Sequence, residues 1–154
     1  MYGKITYNYV VIAYENGGSY SGELLNGKKH GYGKEIIGEE IYVGEWVNGL
    51  KCGFGTETRI DGSRYEGHWQ YGMQDGIGKL ILSNGDTYNG GWKNNKKDGY
   101  GHLIWDKGNM YRGWWKNGKF NGKGKVTLLN GETHKGMWKD NKPSGKMRLT
   151  YFAM

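Results

Sequence analysis

The chain is short of most things that staple or stiffen a fold. Its 154 residues include one proline, one cysteine and three phenylalanines. One proline, with no glycine at every third place, excludes a collagen helix. The lone thiol, Cys52, excludes a disulfide framework. There is no Asn-x-Ser/Thr acceptor, and no apolar run approaches the roughly 18 residues of a membrane-spanning helix. The segment from Met1 to Ala13 lacks the charged region and apolar core of a secretory leader. These absences point to a soluble protein of a reducing compartment, expected in the cytoplasm. Leu, Ile, Val and Phe together number 26, few enough to suggest disorder if nothing replaced them.

Aromatic rings replace them. There are 7 Trp and 13 Tyr beside 30 glycines, and each large ring can bury about 150–250 Å². Disordered chains are poor in such residues. Between Gly17 and Gly145 no glycine-free stretch exceeds eight residues. With glycine costing about 1 kcal/mol against alanine in a helix interior, a helical domain is excluded. The expectation is a single β domain whose core is rings lying on glycines.

The chain repeats. Aligned on Tyr20, Tyr42, Tyr65, Tyr88 and Tyr111, with His134 in the sixth place, the anchors are spaced 22, 23, 23, 23 and 23 residues apart. Two residues on comes glycine (Gly22, Gly44, Gly67, Gly90, Gly113, Gly136). Four on comes Leu24, then Trp46, Trp69, Trp92, Trp115 and Trp138. A Gly-x-Gly follows at Gly31/Gly33, Gly53/Gly55, Gly76/Gly78, Gly99/Gly101 and Gly122/Gly124, while the last copy has Gly145 and Met147.

Residues i, i+2 and i+4 of a strand share a face, so Tyr, Gly and Trp line one side of it. A turn such as Asn94-Asn95-Lys96-Lys97-Asp98 follows, and a second strand is expected to begin at Gly-x-Gly. Its inner face continues with Leu80/Leu82, Leu103/Trp105, Val126/Leu128 and Leu149/Tyr151. A second turn, as in Ser83-Asn84-Gly85-Asp86, leads to the next anchor. Glycines leave room for neighbouring rings to lie on backbone. Each repeat thus reads as a β-hairpin. Residues 1–16 read as an N-terminal capping strand, with Val10, Ile12 and Tyr14 at second-strand positions, and 146–154 as a C-terminal cap; atypical ends are expected of repeat arrays. The expected architecture is all-β: one domain over 1–154, an elongated single-layer antiparallel β-solenoid of six hairpins and an N-terminal half repeat. At about 4.8 Å per strand it would be a rod of roughly 60 Å.

The string Tyr-x-Gly-x-Trp-x-x-Gly-x-x-x-Gly-x-Gly resembles the MORN (membrane occupation and recognition nexus) repeat, most closely in Tyr65-Glu66-Gly67-His68-Trp69 and Gly99-Tyr100-Gly101. The resemblance runs over residues 20–145. Departures are Leu24, the short second unit with Glu39 at a turn-glycine place, Asn95 and Asn141 for turn glycine, His134 and Met147. The resemblance implies a scaffold, as in cytoskeletal, ciliary and membrane-junction proteins; no catalytic domain is expected to follow Met154.

Little here suggests chemistry. His30, His68, His102 and His134 have no metal-ligand spacing to one another or to Cys52, so no metal or cofactor is expected. Glu23, Glu45 and Glu66 fall on outward positions, as on a solvated face. Gly113 to Lys119 and Gly22 to Lys28 imitate a phosphate loop, but Phe120 or Lys29 stands where Ser/Thr is required and no helix can follow. The Gly-x-Gly pairs lack the third glycine and βαβ setting of a dinucleotide site. The expectation is a non-enzyme.

Charge is the informative asymmetry. Residues 1–77 hold 7 Lys/Arg and 10 Asp/Glu, a net of −3, and residues 78–154 hold 15 and 5, a net of +10. Basic residues recur in register: Lys93, Lys116, Lys139; Lys96, Lys119, Lys142; Arg112, Lys135. Such rows suit an anionic partner, although lysine also protects β proteins from aggregation. The leading expectation is a scaffold that binds another protein as part of a larger cytoskeletal or ciliary assembly. Tyr65, Trp69, Tyr88, Trp92, Tyr111 and Trp115 would form the groove, with Lys93, Lys96, Lys116 and Lys119 at its edge. The rival is a peripheral adaptor for anionic phospholipids. Single-stranded nucleic acid is disfavoured because the ring columns are needed as core.

Overall fold

A computed structural model of the chain describes residues 8–151. The capping strand foreseen over 1–16 and the cap over 146–154 therefore lie partly outside the described residues, at 1–7 and 152–154. Within them every regular element is a strand, and the chain divides into two compact units, 1–73 and 74–154.

In the first unit β1 (Asn8–Ala13), β2 (Ser19–Leu25), β3 (Lys28–Ile37), β4 (Glu40–Val47), β5 (Leu50–Thr58) and β6 (Arg64–Gln70) pair antiparallel in sequence order. The second unit holds, from its second residue on, β7 (Met73–Ile81), then β8 (Thr87–Lys93), β9 (Lys96–Trp105), β10 (Asn109–Lys116), β11 (Lys119–Thr127), β12 (Thr133–Lys139) and β13 (Lys142–Thr150), paired in the same way. The all-β, single-layer antiparallel architecture is as the repeat pattern requires.

The hairpin turns differ from expectation. Each is two residues long, with both in the left-handed region: Asn26-Gly27, Asn48-Gly49, Tyr71-Gly72, Asn94-Asn95, Asn117-Gly118 and Asp140-Asn141. This is the type I′ geometry whose twist matches that of flanking strands. Lys96, Lys97 and Asp98 are consequently strand, not turn, and the second strands begin before Gly-x-Gly. The surplus length is absorbed in a bulge. Gly44 pairs with Gly55 but Glu45 with Cys52, leaving two extra residues on the second strand, and the register shifts likewise at Gly22/Glu23 and between Gly90 and Trp92. The first glycine of each Gly-x-Gly sits in that bulge with positive φ, 58° at Gly53 and 87° at Gly99, where L side chains are strained.

The second glycine is the floor foreseen for it. Gly22/Gly33, Gly44/Gly55, Gly90/Gly101 and Gly113/Gly124 face one another, and each pair lies under the tyrosine of its own repeat. A Cβ on Gly124 would overlap the Tyr111 hydroxyl and ring. The hydroxyl donates to the carbonyl freed by the bulge: Tyr20 to Glu23 at 2.9 Å, Tyr42 to Glu45 at 3.1 Å, Tyr88 to Gly91 at 2.9 Å, Tyr111 to Trp114 at 2.9 Å. A buried carbonyl taken out of a ladder needs such a donor. The indole N–H of Trp46, Trp69, Trp92 and Trp138 donates to the carbonyl of a floor glycine one repeat earlier, at 3.1–3.2 Å.

Tyr and Trp alternate edge to face in each unit, Tyr42–Trp46 at 5.0 Å and 82° and Tyr88–Trp115 at 5.1 Å and 78°. Each such pair is worth about 0.5–1.5 kcal/mol beyond area burial. The ends are looser. Leu149 and Tyr151, expected inside, are exposed, and so is Ile12 on β1. In the sixth repeat a Cβ on Gly136 would meet the Met147 side chain, where one on Gly113 in the fifth would meet the Tyr111 hydroxyl.

Candidate functional site

The six rings expected to form a groove lie in the core. Tyr65, Trp69, Tyr88, Trp92, Tyr111 and Trp115 are 0–6% exposed. What covers rings on this face is the residue five places after the tryptophan, or after Leu24 in the first repeat, which the two-residue turn brings directly opposite it, as in Leu24↔Lys29, Trp46↔Lys51 and Trp92↔Lys97. In the first unit these are lysines. Lys29 Nζ lies 4.6 Å from the Trp46 ring centre and 5.4 Å from that of Tyr20, and Lys51 Nζ lies 4.7 Å from Tyr42 and 4.8 Å from Trp69. Each is also paired with a carboxylate six residues on, Lys29 with Glu35 and Lys51 with Glu57. In the second unit Gln74 is buried, Lys97 Nζ stands 4.9 Å from Tyr88 and 5.0 Å from Trp115, and Phe120 stacks on Tyr111 at 3.7 Å and 8°.

The basic rows separate into two groups. Lys93/Lys96, Lys116/Lys119 and Lys139/Lys142 face each other across the type I′ turns and are exposed. Lys119 reaches Asp140 at 3.7 Å. Arg112 and Lys135 stand elsewhere, in the wall of a concavity of about 1120 Å³ in the second unit.

That concavity was not foreseen. Its walls come from the strand face opposite the rings. Tyr100 and Trp114 stand half exposed, edge to face at 5.9 Å, with Met110 and Met137 near them. Lys123, Lys125, Lys146 and Arg148 join Arg112 and Lys135 around them, and among the described residues no carboxylate lines it. Burial, and then the nearby Arg112 charge, hold the His102 imidazole below its ordinary range, so it adds no charge at neutral pH. Its Nε2 lies 3.3 Å from Met110 Sδ. The sequence signal was there: the middle residue of Gly-x-Gly and the residue before Trp are both outward by parity, and in the fourth and fifth repeats these are Tyr100 and Trp114.

Among the described residues no three or more His, Cys, Asp or Glu side chains gather as a metal site. Cys52 is a free thiol, half buried on β5. Glu45, foreseen as outward, accepts from the Phe54 amide at 2.9 Å, while Glu66 is an outward carboxylate beside Arg64 at 3.2 Å.

Tandem hairpins with a shared aromatic, glycine-floored face define a β-hairpin repeat protein. The MORN repeat model matches residues 20–37, 42–64, 65–87, 88–110, 111–133 and 134–146. The chain belongs to the MORN repeat family. No curated protein matches it in sequence. Among solved structures it is similar to the SAS-4 (dCPAP) TCP domain of Drosophila melanogaster, determined in complex with a proline-rich motif of Ana2 (dSTIL). The two share 15% identity over 95% of this chain and 90% of that chain, with a TM-score of 0.47.

Proposed function

We propose that this chain is a non-catalytic scaffold that binds a protein partner bearing an acidic segment, and that the second unit is the main contact. The concavity carries the reading. It joins exposed aromatic rings and methionines, which suit protein recognition, to six basic side chains with no acid among the described residues that line it. Unit charge agrees: residues 1–73 hold 7 Lys/Arg against 9 Asp/Glu, a net of −2, and 74–154 hold 15 against 6, a net of +9. Such a field speeds encounter with an acidic surface and fixes its orientation. Binding through the ring columns, as the spacing first suggested, would act through the side chains lying over them. Membership in a larger cytoskeletal complex and a cytoplasmic location belong to the same reading.

The test is recovery of the tagged full chain from native cells with wild type, Trp114→Ala and Arg112→Glu/Lys135→Glu in parallel. A stoichiometric protein retained by wild type and lost from both variants is the expected result. Equal recovery by all three overturns the concavity as the contact. Co-sedimentation with vesicles containing phosphoinositide, lost in Lys93→Glu/Lys116→Glu/Lys139→Glu, would instead favour the membrane adaptor, because those exposed lysines flank the turns.

A further inference from the structure

We propose that Lys97 is the receiving group for a carboxylate presented by an acidic side chain of another protein, on the ring-bearing face opposite the concavity. The inference goes beyond the scaffold reading and rests on comparing repeats within this chain. Three repeats place a lysine over a Tyr–Trp box. In two of them the ammonium has its own carboxylate, Lys29 with Glu35 and Lys51 with Glu57. In the third the residue six places on from Lys97 is Leu103, and among the described residues Lys97 forms no ion pair.

A lysine without a counter-ion is unremarkable in open water, but Lys97 is half buried over Tyr88 and Trp115. Burial pushes its ammonium below the ordinary lysine range; Asp86 opposes this only in part. Asp86 is already engaged, one oxygen with the Asn84 side chain at 3.1 Å and the other with the Asp106 amide at 3.1 Å. The same box holds a second unmatched donor: Trp115 Nε1 is buried without an acceptor among the described residues, whereas four other indoles of its column donate to a floor glycine. A half-buried cation favours a carboxylate over water, since charge-assisted hydrogen bonds strengthen as solvent is excluded. The first unit therefore contains, within its own chain, the arrangement that a partner's Glu or Asp would complete here.

The chain also supplies the variants. Leu103→Glu gives the fourth repeat the Lys–Glu pair of the first two, and Lys97→Gln gives it the Gln74/Leu80 combination of the third. The experiment follows the Lys97 side-chain methylene resonances of full-length protein by NMR, assigned by their loss in Lys97→Gln, during titration with hexaglutamate or hexaglutamine peptide. Hexaglutamate is expected to shift them and hexaglutamine to leave them in place. Hexaglutamate affinity is expected to fall roughly tenfold in Lys97→Gln, and Leu103→Glu is expected to abolish the response while raising the thermal midpoint. Unmoved resonances, equal shifts with both peptides, or unchanged hexaglutamate affinity in Lys97→Gln overturn the proposal. The last result, with hexaglutamate still bound, leaves the concavity reading standing. Should Leu103→Glu fail to fold, the two peptides on wild type and the affinity of Lys97→Gln decide the matter alone.

Discussion

Tyr20, Tyr42, Tyr88 and Tyr111 each do three jobs with one side chain: the ring fills the space over two glycines, it meets tryptophan edge to face, and the hydroxyl satisfies a carbonyl at the bulge. Enclosure has a measurable side effect. Burial, aided by Glu23, pushes the Tyr20 hydroxyl up to about 12; burial, aided by Tyr100, does the same for Tyr111, also to about 12. Tyr42 is shifted further in the same direction. A folded-state value above the ordinary 10.0 means the native state holds its proton more tightly than the unfolded chain does. The stabilisation is therefore complete below pH 10 and is lost as pH rises through about 12. Urea midpoints measured from pH 8 to 12 should be flat to pH 10 and then fall. Tyrosinate absorbance from the column tyrosines should appear only together with unfolding; its appearance in native protein near pH 10 would contradict the enclosed hydroxyls.

At the scale of the hairpin, turns are tied to the preceding repeat. The second turn residue donates its amide to the carbonyl of the ring-covering residue one repeat earlier: Gly49 to Lys29 at 2.8 Å, Gly72 to Lys51 at 2.9 Å, Asn95 to Gln74 at 3.0 Å, Gly118 to Lys97 at 2.8 Å and Asn141 to Phe120 at 3.1 Å. Where that earlier residue is not lysine, the turn residue is asparagine, and its side-chain oxygen also accepts from the Gln74 amide at 2.8 Å or the Phe120 amide at 2.7 Å. This explains why Asn95 and Asn141 depart from the family's turn glycine. Asn141 has φ of 68°, which glycine adopts with less strain, so backbone preference alone makes Asn141→Gly stabilising. We expect it to destabilise by about 1 kcal/mol instead, from the lost hydrogen bond, as read by urea denaturation.

These ties also show what the sequence made legible. Ring columns, floor glycines and hairpins followed from the 23-residue register alone. The turn was overestimated because Lys96-Lys97-Asp98 is polar and looks like loop. Yet Asn26-Gly27, Asn48-Gly49 and Asn117-Gly118 are strong two-residue hairpin signals, and counting from them puts Lys29 opposite Leu24, Lys51 opposite Trp46 and Phe120 opposite Trp115. What parity could not supply is depth. It cannot tell that the rings are sealed beneath those side chains, nor that Tyr100 and Trp114 meet at the edge of a basic concavity, because both depend on how the sheet twists.

For the molecule as a whole, stability in an array of repeats is a sum of local terms, so its ends should be least protected. In β13 every residue but one is exposed, as in β1, while β10 alternates buried and exposed positions around Tyr111, Gly113 and Trp115. Hydrogen exchange should release β13 amides on the order of 100-fold faster than those of β10. Equal protection would show that the terminal strand draws stability from contacts absent here.

The asparagine ties make the repeats less interchangeable than their spacing implies. Each turn is fitted to the residue that the previous copy places over its rings, so a copy fits only behind a compatible predecessor. Duplicating residues 111–133 in tandem would set the Asn117-Gly118 turn behind Phe120, where Asn141 now stands, and would strip the Phe120 amide of its side-chain acceptor. The unit of inheritance along this chain is therefore the junction between neighbours. Growth or loss by whole repeats is constrained at each seam by what the earlier copy carries.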